Sequence, residues 1–387
     1  MIDVFLVASA LALAFVLAEL IARACLARGG YYVLPPWQRT RLEVDRETLP
    51  ALEPEVRIHV NRDGERGDPP PRSWSDTYRV LVAGGSAAEC YLLDQERQWP
   101  HVLQRHLNED PRALGAARAH VGNMSRSLVA CDYLTLMLEK ALPRYTRLDL
   151  LVTFVGASDV VAWLEKKTPP SIERRELALD YVFPEHPETR FGWTPGRLAL
   201  RRVAARLQRR LLRPETRRSG AGKTIAKHRA MRAAAKTLID EVPDPTPMVA
   251  HFEHHFRRML TTARASAQRV LVVRQPWFEK EFTREEAARL WNFGQGRPYE
   301  EQLDTYYTHR VVCELLRAVD AVQARVAQEL GVEQLDLMPV LERSFDTYYD
   351  FLHFTPAGAR AVGRAIADAV LAGGAVRLAA CSPPAGA

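Results

Sequence analysis

The chain has 387 residues, 47% of them apolar and 26% charged, a balance that excludes a disordered or fibrous chain and suits one large globular domain with additions, or two ordinary ones. Its net charge of +6 is unevenly placed: residues 197–236 hold 14 Lys or Arg against the single acid Glu215, a local +13 that leaves −7 elsewhere. The basicity belongs to that one segment, no nucleic-acid-binding motif accompanies it, and no nucleic-acid partner is expected.

The chain opens "MIDVFLVASALALAFVLAELIARAC". From Val4 to Ile21 only Glu19 is charged, and these 18 residues make about 27 Å of helix, nearly the ~30 Å of a hydrocarbon core. The start lacks the basic residues and the small-residue cleavage site of a signal peptide, so a single-pass anchor, residues 1–28, is expected. Arg23, Arg28, Arg39 and Arg41 follow the span, and the positive-inside rule leans the rest of the chain toward the cytoplasm. Residues 29–75, with "YYVLPPWQRTR" and "NRDGERGDPPPRSW", read as a linker rich in proline and charge.

Between Tyr78 and Gly373, β-rich runs alternate with helical patterns. The expected strands are 78–84, 119–123, 148–156, 269–275 and 332–337; the expected helices are 98–107, 130–142, 249–267, 305–330 and 356–371. Thr355 is the expected N-cap of the last helix, with Pro356 in its first position. The nearly continuous apolar character of three of the strands suits burial on both faces of a parallel sheet. The whole implies a doubly wound α/β/α sandwich with an insertion at about 160–248 and a loose tail at 374–387. The five cysteines (Cys25, Cys90, Cys131, Cys313, Cys381) are scattered and form no Cys-x-x-Cys pair, which argues against a disulfide framework or a zinc site.

In such sheets, sites form at the carboxyl ends of the strands. The first strand ends in Gly84-Gly85-Ser86, the second in "GNMSRS" (122–127) and the third in "GASD" (156–159); "DFLH" (350–353) precedes the last helix. A serine hydroxyl is a poor nucleophile until an imidazole takes its proton, and the imidazole needs an acceptor to fix its tautomer. Ser86, His353 and Asp350 have these residue types in that arrangement. The nucleophile elbow of the α/β-hydrolases fits less well, since the sequence after Ser86 lacks its second glycine.

These blocks and their order resemble the SGNH (GDSL-type) hydrolases, and more narrowly the membrane-anchored members whose first block reads Gly-Gly-Ser; the resemblance covers about Tyr78 to Leu371. It implies Ser86 as nucleophile, His353 as general base and Asp350 as its orienting partner, with Ser86, Ser125 and Ser158 around the oxyanion. Ser125 stands where the family has Gly, Ser158 where it has Asn, and Cys90 where a Gly is frequent. These departures leave three readings open. The first is a serine esterase acting on an acylated glycan or other ester at a bacterial inner membrane; a glycan role requires the periplasmic side, against the charge rule. The others are an acyltransferase using the same serine, and a degenerate binding or scaffold subunit. No metal or organic cofactor is implied.

Three further features stand out. Residues 197–213 form a basic amphipathic helix, suited either to anionic lipid headgroups or to docking one apolar stripe on the body. Trp277, Trp291 and Phe293 follow the fourth strand, on the Ser86 side of the sheet, as candidate pocket residues. His251 and His255 have helix-face metal spacing but no clear third ligand.

Overall fold

After Arg79, the run to Gly84 contains no polar side chain, so it is stable only where both faces are covered. The computed structural model, which describes residues 2–165, 177–187, 196 and 198–381, places it at the middle of the molecule. The described strands are β1 (Arg39–Val44), β2 (Glu55–His59), β3 (Thr77–Gly84), β4 (Arg118–Asn123), β5 (Leu150–Phe154), β6 (Glu215–Ala221), β7 (Thr237–Ile239), β8 (Arg269–Arg274), β9 (Thr305–Tyr307) and β10 (Glu333–Asp336). The helices are α1 (Ile2–Ala27), α2 (Ser86–Glu89), α3 (Trp99–Leu107), α4 (Cys131–Ala141), α5 (Ala157–Leu164), α6 (Leu179–Val182), α7 (Ala199–Leu212), α8 (Lys223–Ala233), α9 (Thr246–Ser266), α10 (Arg284–Ala287), α11 (His309–Glu329) and α12 (Pro356–Cys381).

Five strands form one parallel sheet in the order β10-β8-β5-β3-β4. Every residue of β3 and β5 is buried. On one face Leu134 and Leu138 of α4, Phe252 and Phe256 of α9, and Leu316 and Val319 of α11 pack together. On the other, Trp99 and Leu103 of α3 meet Val362 and Ile366 of α12. The fold is thus the expected three-layer α/β/α sandwich. Thr355 Oγ1 accepts the Gly358 N–H at 3.1 Å, capping α12 as its sequence suggests.

The stretch 29–75 is not a linker. β1 pairs antiparallel with β2 and parallel with β6 of the insertion, and Leu42, Val44, Val56 and Ile58 join the core. Alternation hid these strands: their outward residues are Arg and Glu, and the composition reads as solvated although the period is two. The helix expected from 305 begins at His309, because Thr305–Tyr307 pairs with β7 instead. The backbone of α12 runs on to Cys381, past the point where the loose tail is expected to begin. Glycine weakens a helix by about 1 kcal/mol but does not end it, and the first proline after this helix is Pro383. Residues 166–176, 188–195 and 197 of the insertion and basic segment, and 382–387 of the tail, lie outside the described residues. α1 is long and apolar enough to cross a membrane.

Candidate active site

The turn after β3 requires glycine for contact reasons. A Cβ at Gly84 would lie 2.3 Å from the Phe154 carbonyl oxygen of β5, and the Gly85 N–H donates to that same oxygen at 3.0 Å. The chain then turns into α2, whose first residue is Ser86. Ser86 and Ala87, in the first turn, have no acceptor upstream within the helix for their N–H groups.

The chain returns to this point before α12. Ser86 Oγ lies 2.7 Å from His353 Nε2, and His353 Nδ1 lies 2.8 Å from Asp350 Oδ2 and 3.0 Å from Oδ1. Asp350 is fully buried and its carboxylate is filled: Oδ1 also accepts the N–H groups of Leu352 and His353, both at 2.8 Å, and Oδ2 accepts Trp291 Nε1–H at 2.9 Å. With Nδ1 facing a carboxylate, the neutral ring carries its proton there and leaves the Nε2 lone pair toward Ser86. The imidazole plane is nearly parallel to two neighbouring rings, Tyr349 at 5.5 Å and Trp291 at 6.4 Å between centroids.

Burial opposes the charge on both partners, yet each outweighs it for the other. Asp350 is held below its ordinary value by His353 and the two backbone N–H groups. His353 is held above its ordinary value by the charge and hydrogen bond of Asp350, with a further contribution from Glu89. Burial pushes the neighbouring Cys90 thiol up to about 12, so Cys90 is no rival nucleophile at neutral pH.

The other expected site residues distribute differently. Ser158, at the start of α5, lies beside the serine turn: a Cβ on Gly85 would be 3.3 Å from its Oγ. Ser125 does not present its N–H, which donates to Asn123 Oδ1 at 2.9 Å; its hydroxyl is buried and meets no partner. The sequence resemblance could place Ser125 in the turn but not foresee that Asn123 would take its amide. Trp277 and Phe293 are buried core residues, Phe293 edge-on to Phe351 at 5.2 Å; Phe293 and Trp291 line a small cavity with Arg232, His309 and Phe351 whose lining does not include Ser86. Trp291 serves the carboxylate. The cleft beside Ser86, about 200 Å³ of empty space, is lined instead by Cys90, Leu92, Leu93, Tyr349 and Phe354. Among the described residues no His, Cys, Asp and Glu cluster could hold a metal; His251 pairs loosely with Asp132 at 3.7 Å.

Two supports had no sequence signal. Glu89 Oε2 accepts both the N–H and the hydroxyl of Ser127, tying α2 to the turn after β4. Arg66, fully buried in the supposed linker, donates to the carbonyls of Glu89 and Cys90, both at 2.9 Å, and of Leu93 at 2.5 Å. It thereby satisfies the carbonyls exposed where α2 ends and Cys90 takes a left-handed conformation (φ 52°).

No family model and no curated protein matches the chain. Solved structures similar to it include LAE5, an alpha/beta hydrolase enzyme from the Lake Arreo metagenome (10% identity, 76% of this chain and 94% of that one, TM-score 0.42). They also include a lipolytic G-D-S-L family protein from Veillonella parvula (7%, 75% and 96%, TM-score 0.39) and the acetylxylan esterase Axe2 from Geobacillus stearothermophilus (11%, 76% and 94%, TM-score 0.38). Likenesses this loose carry no argument about chemistry, which stands on the site itself.

Proposed function

We propose that this chain is a membrane-anchored serine ester hydrolase of the SGNH type, with Ser86 as nucleophile, His353 as general base and Asp350 as its orienting partner. The observation that carries the reading is the hydrogen-bonded line Ser86 Oγ, His353 Nε2, His353 Nδ1, Asp350 Oδ2. As Ser86 Oγ bonds to the ester carbonyl carbon, its proton passes to His353 Nε2. The imidazolium so formed is stabilised by Asp350 and returns the proton to the leaving alcohol when the carbon–oxygen bond breaks. Water, deprotonated by the same nitrogen, then releases the acid and restores Ser86.

The Ser86 N–H and the hydroxyls of Ser158 and Ser125 are the candidate oxyanion donors. The cleft beside Ser86, narrowed by Leu92, Leu93, Tyr349 and Phe354, favours a short acyl group such as acetyl, carried on a glycan or another alcohol. A glycan of the cell envelope would place the domain on the periplasmic side of the bacterial inner membrane.

The degenerate scaffold reading is favoured by Ser158 standing where the family has Asn, and the commitment of the Ser125 N–H to Asn123 adds to it. Fluorophosphonate labelling of the full chain in detergent separates the two. Labelling lost in both Ser86→Ala and His353→Ala is the expected result. A folded protein that takes no label would leave the scaffold reading standing.

A further inference from the structure

The basic helix α7 is oriented the opposite way from an ordinary docked amphipathic helix. At 100° per residue, Arg202, Arg206 and Arg209 share one face, and Leu200, Ala204, Leu207 and Leu211 the opposite one. The arginine face is against the body. Arg202 donates to the His186 carbonyl at 3.1 Å, Arg209 pairs with Glu185 and donates to the Pro36 carbonyl at 3.3 Å, and the Arg206 guanidinium lies 5.3 Å from the Tyr32 ring and 5.7 Å from that of Trp37. The leucines point away: Leu207, Leu211 and Leu212 are 46%, 72% and 73% exposed. The apolar stripe does not dock on the body, and Arg202, Arg206 and Arg209 already have protein partners.

α7 is also fastened to α1. Glu19, the only charge between Val4 and Ile21 and fully buried, accepts the N–H groups of Ala199 at 2.8 Å and Leu200 at 3.0 Å and pairs with Arg23. A carboxylate in a hydrocarbon-length helix is thus consumed capping the N-terminus of α7. Leu11, Leu13, Leu17 and Leu20 of α1 are exposed too, and α7 starts beside that apolar helix, where Glu19 holds its first N–H groups.

From this fastening we infer that the leucine face of α7 lies against the lipid acyl chains, with Glu19 fixing the helix to the membrane-spanning segment. The occupant is lipid because α7 is tied to a helix that itself needs lipid, and because it turns Arg202, Arg206 and Arg209 inward to protein partners while Leu207 and Leu211 face outward. The inference rests on α1 spanning a membrane, and the test separates the two.

The full chain, with Cys25 and Cys381 replaced by serine, carries one environment-sensitive fluorophore at Leu211→Cys, at Leu11→Cys or at the exposed Val340→Cys. Each is reconstituted in phosphatidylcholine–phosphatidylglycerol nanodiscs. The expected result is that acyl-chain spin labels quench the Leu211 probe several-fold more than aqueous iodide does, as at Leu11, with Val340 showing the reverse. Iodide access at Leu211 with lipid quenching at Leu11 overturns the inference alone; iodide access at both overturns the anchor as well. Protection of Leu211 from both quenchers makes the occupant protein, and also refutes the lipid assignment. Glu19→Ala should return the Leu211 probe toward the Val340 pattern, and an unchanged probe would remove Glu19 from its fastening role.

Discussion

Replacing Trp291 by Phe tests whether that side chain acts through Asp350 or as a wall of the substrate cleft. In the native site Oδ2 of Asp350 has two donors, His353 Nδ1 and Trp291 Nε1; Oδ1 has backbone donors of its own. Phenylalanine keeps much of the ring between His228 and His353 and removes only the N–H donation. A hydrogen bond to a charged group contributes about 1.5–3 kcal/mol. The deprived carboxylate then leans harder on the His353 proton. Part of that loss appears as proton affinity, so the His353 pKa rises further above its ordinary value. His353 must be neutral to act, so the acid limb of kcat/KM moves to higher pH. The plateau should fall by less than about tenfold, because the Leu352 and His353 N–H groups still hold Asp350, and each 1.36 kcal/mol is only a factor of ten. The assay is p-nitrophenyl acetate hydrolysis across the histidine titration range, with Ser86→Ala as the blank. An acid limb that stays in place or moves down refutes the coupling; a raised KM with an unmoved limb would return Trp291 to the cleft.

Asp350→Asn leaves burial opposed only by the weaker pull of Glu89, so the His353 pKa should fall and the acid limb should move down, with kcat lower by on the order of 10⁴; a limb that rises instead would contradict the electrostatic account. In the native pair, the stability from the raised His353 pKa is present below the unfolded histidine value and lost as pH rises through the folded one, which thermal midpoints of wild type and His353→Ala should show converging with rising pH. Ser158→Ala should lower kcat by about 10²–10³ with little change in KM if its hydroxyl donates to the oxyanion; unchanged kcat would exclude it. Arg66→Met orphans the carbonyls of Glu89, Cys90 and Leu93 at about 1–3 kcal/mol each, and should lower the urea midpoint strongly while Arg66→Lys restores part of it; a midpoint within error of wild type would refute the clamp.

What the sequence revealed and what it concealed divide along one physical line. Features written as local patterns were legible: unbroken apolar runs for β3 and β5, Thr355-Pro356 opening α12, Gly-Gly-Ser at a strand end, Asp-x-x-His before the last helix. Their assembly into one hydrogen-bonded line across 267 residues follows from a parallel sheet that brings the carboxyl ends of its strands together. Features that depend on which partner a polar group finds were not legible. Trp291 could have lined a pocket; only the returning chain shows its N–H on Asp350. The Ser125 amide looked available until Asn123, two residues earlier, turned back to take it.

The same limit explains the larger misreading, that of 29–75 and of α7. A stretch full of Arg, Glu and Pro passes for solvated chain because composition counts charges without saying whether they are paired. Arg66 is buried on three carbonyls, Arg57 is paired with Asp94 at 3.0 Å, and the arginines of α7 are held by Glu185 and by the rings and carbonyls of the former linker. Once those cations are assigned to the protein, the leucines opposite them are left without one. In an aqueous protein that arrangement is the wrong way round, because it exposes apolar surface to keep guanidinium groups partly desolvated. Next to an apolar helix of membrane length it is the expected one, since the leucines then meet acyl chains and the arginines meet protein instead of hydrocarbon. Charge pattern alone therefore could not reveal which face of α7 is turned to the protein; the partners of Arg202, Arg206 and Arg209 do.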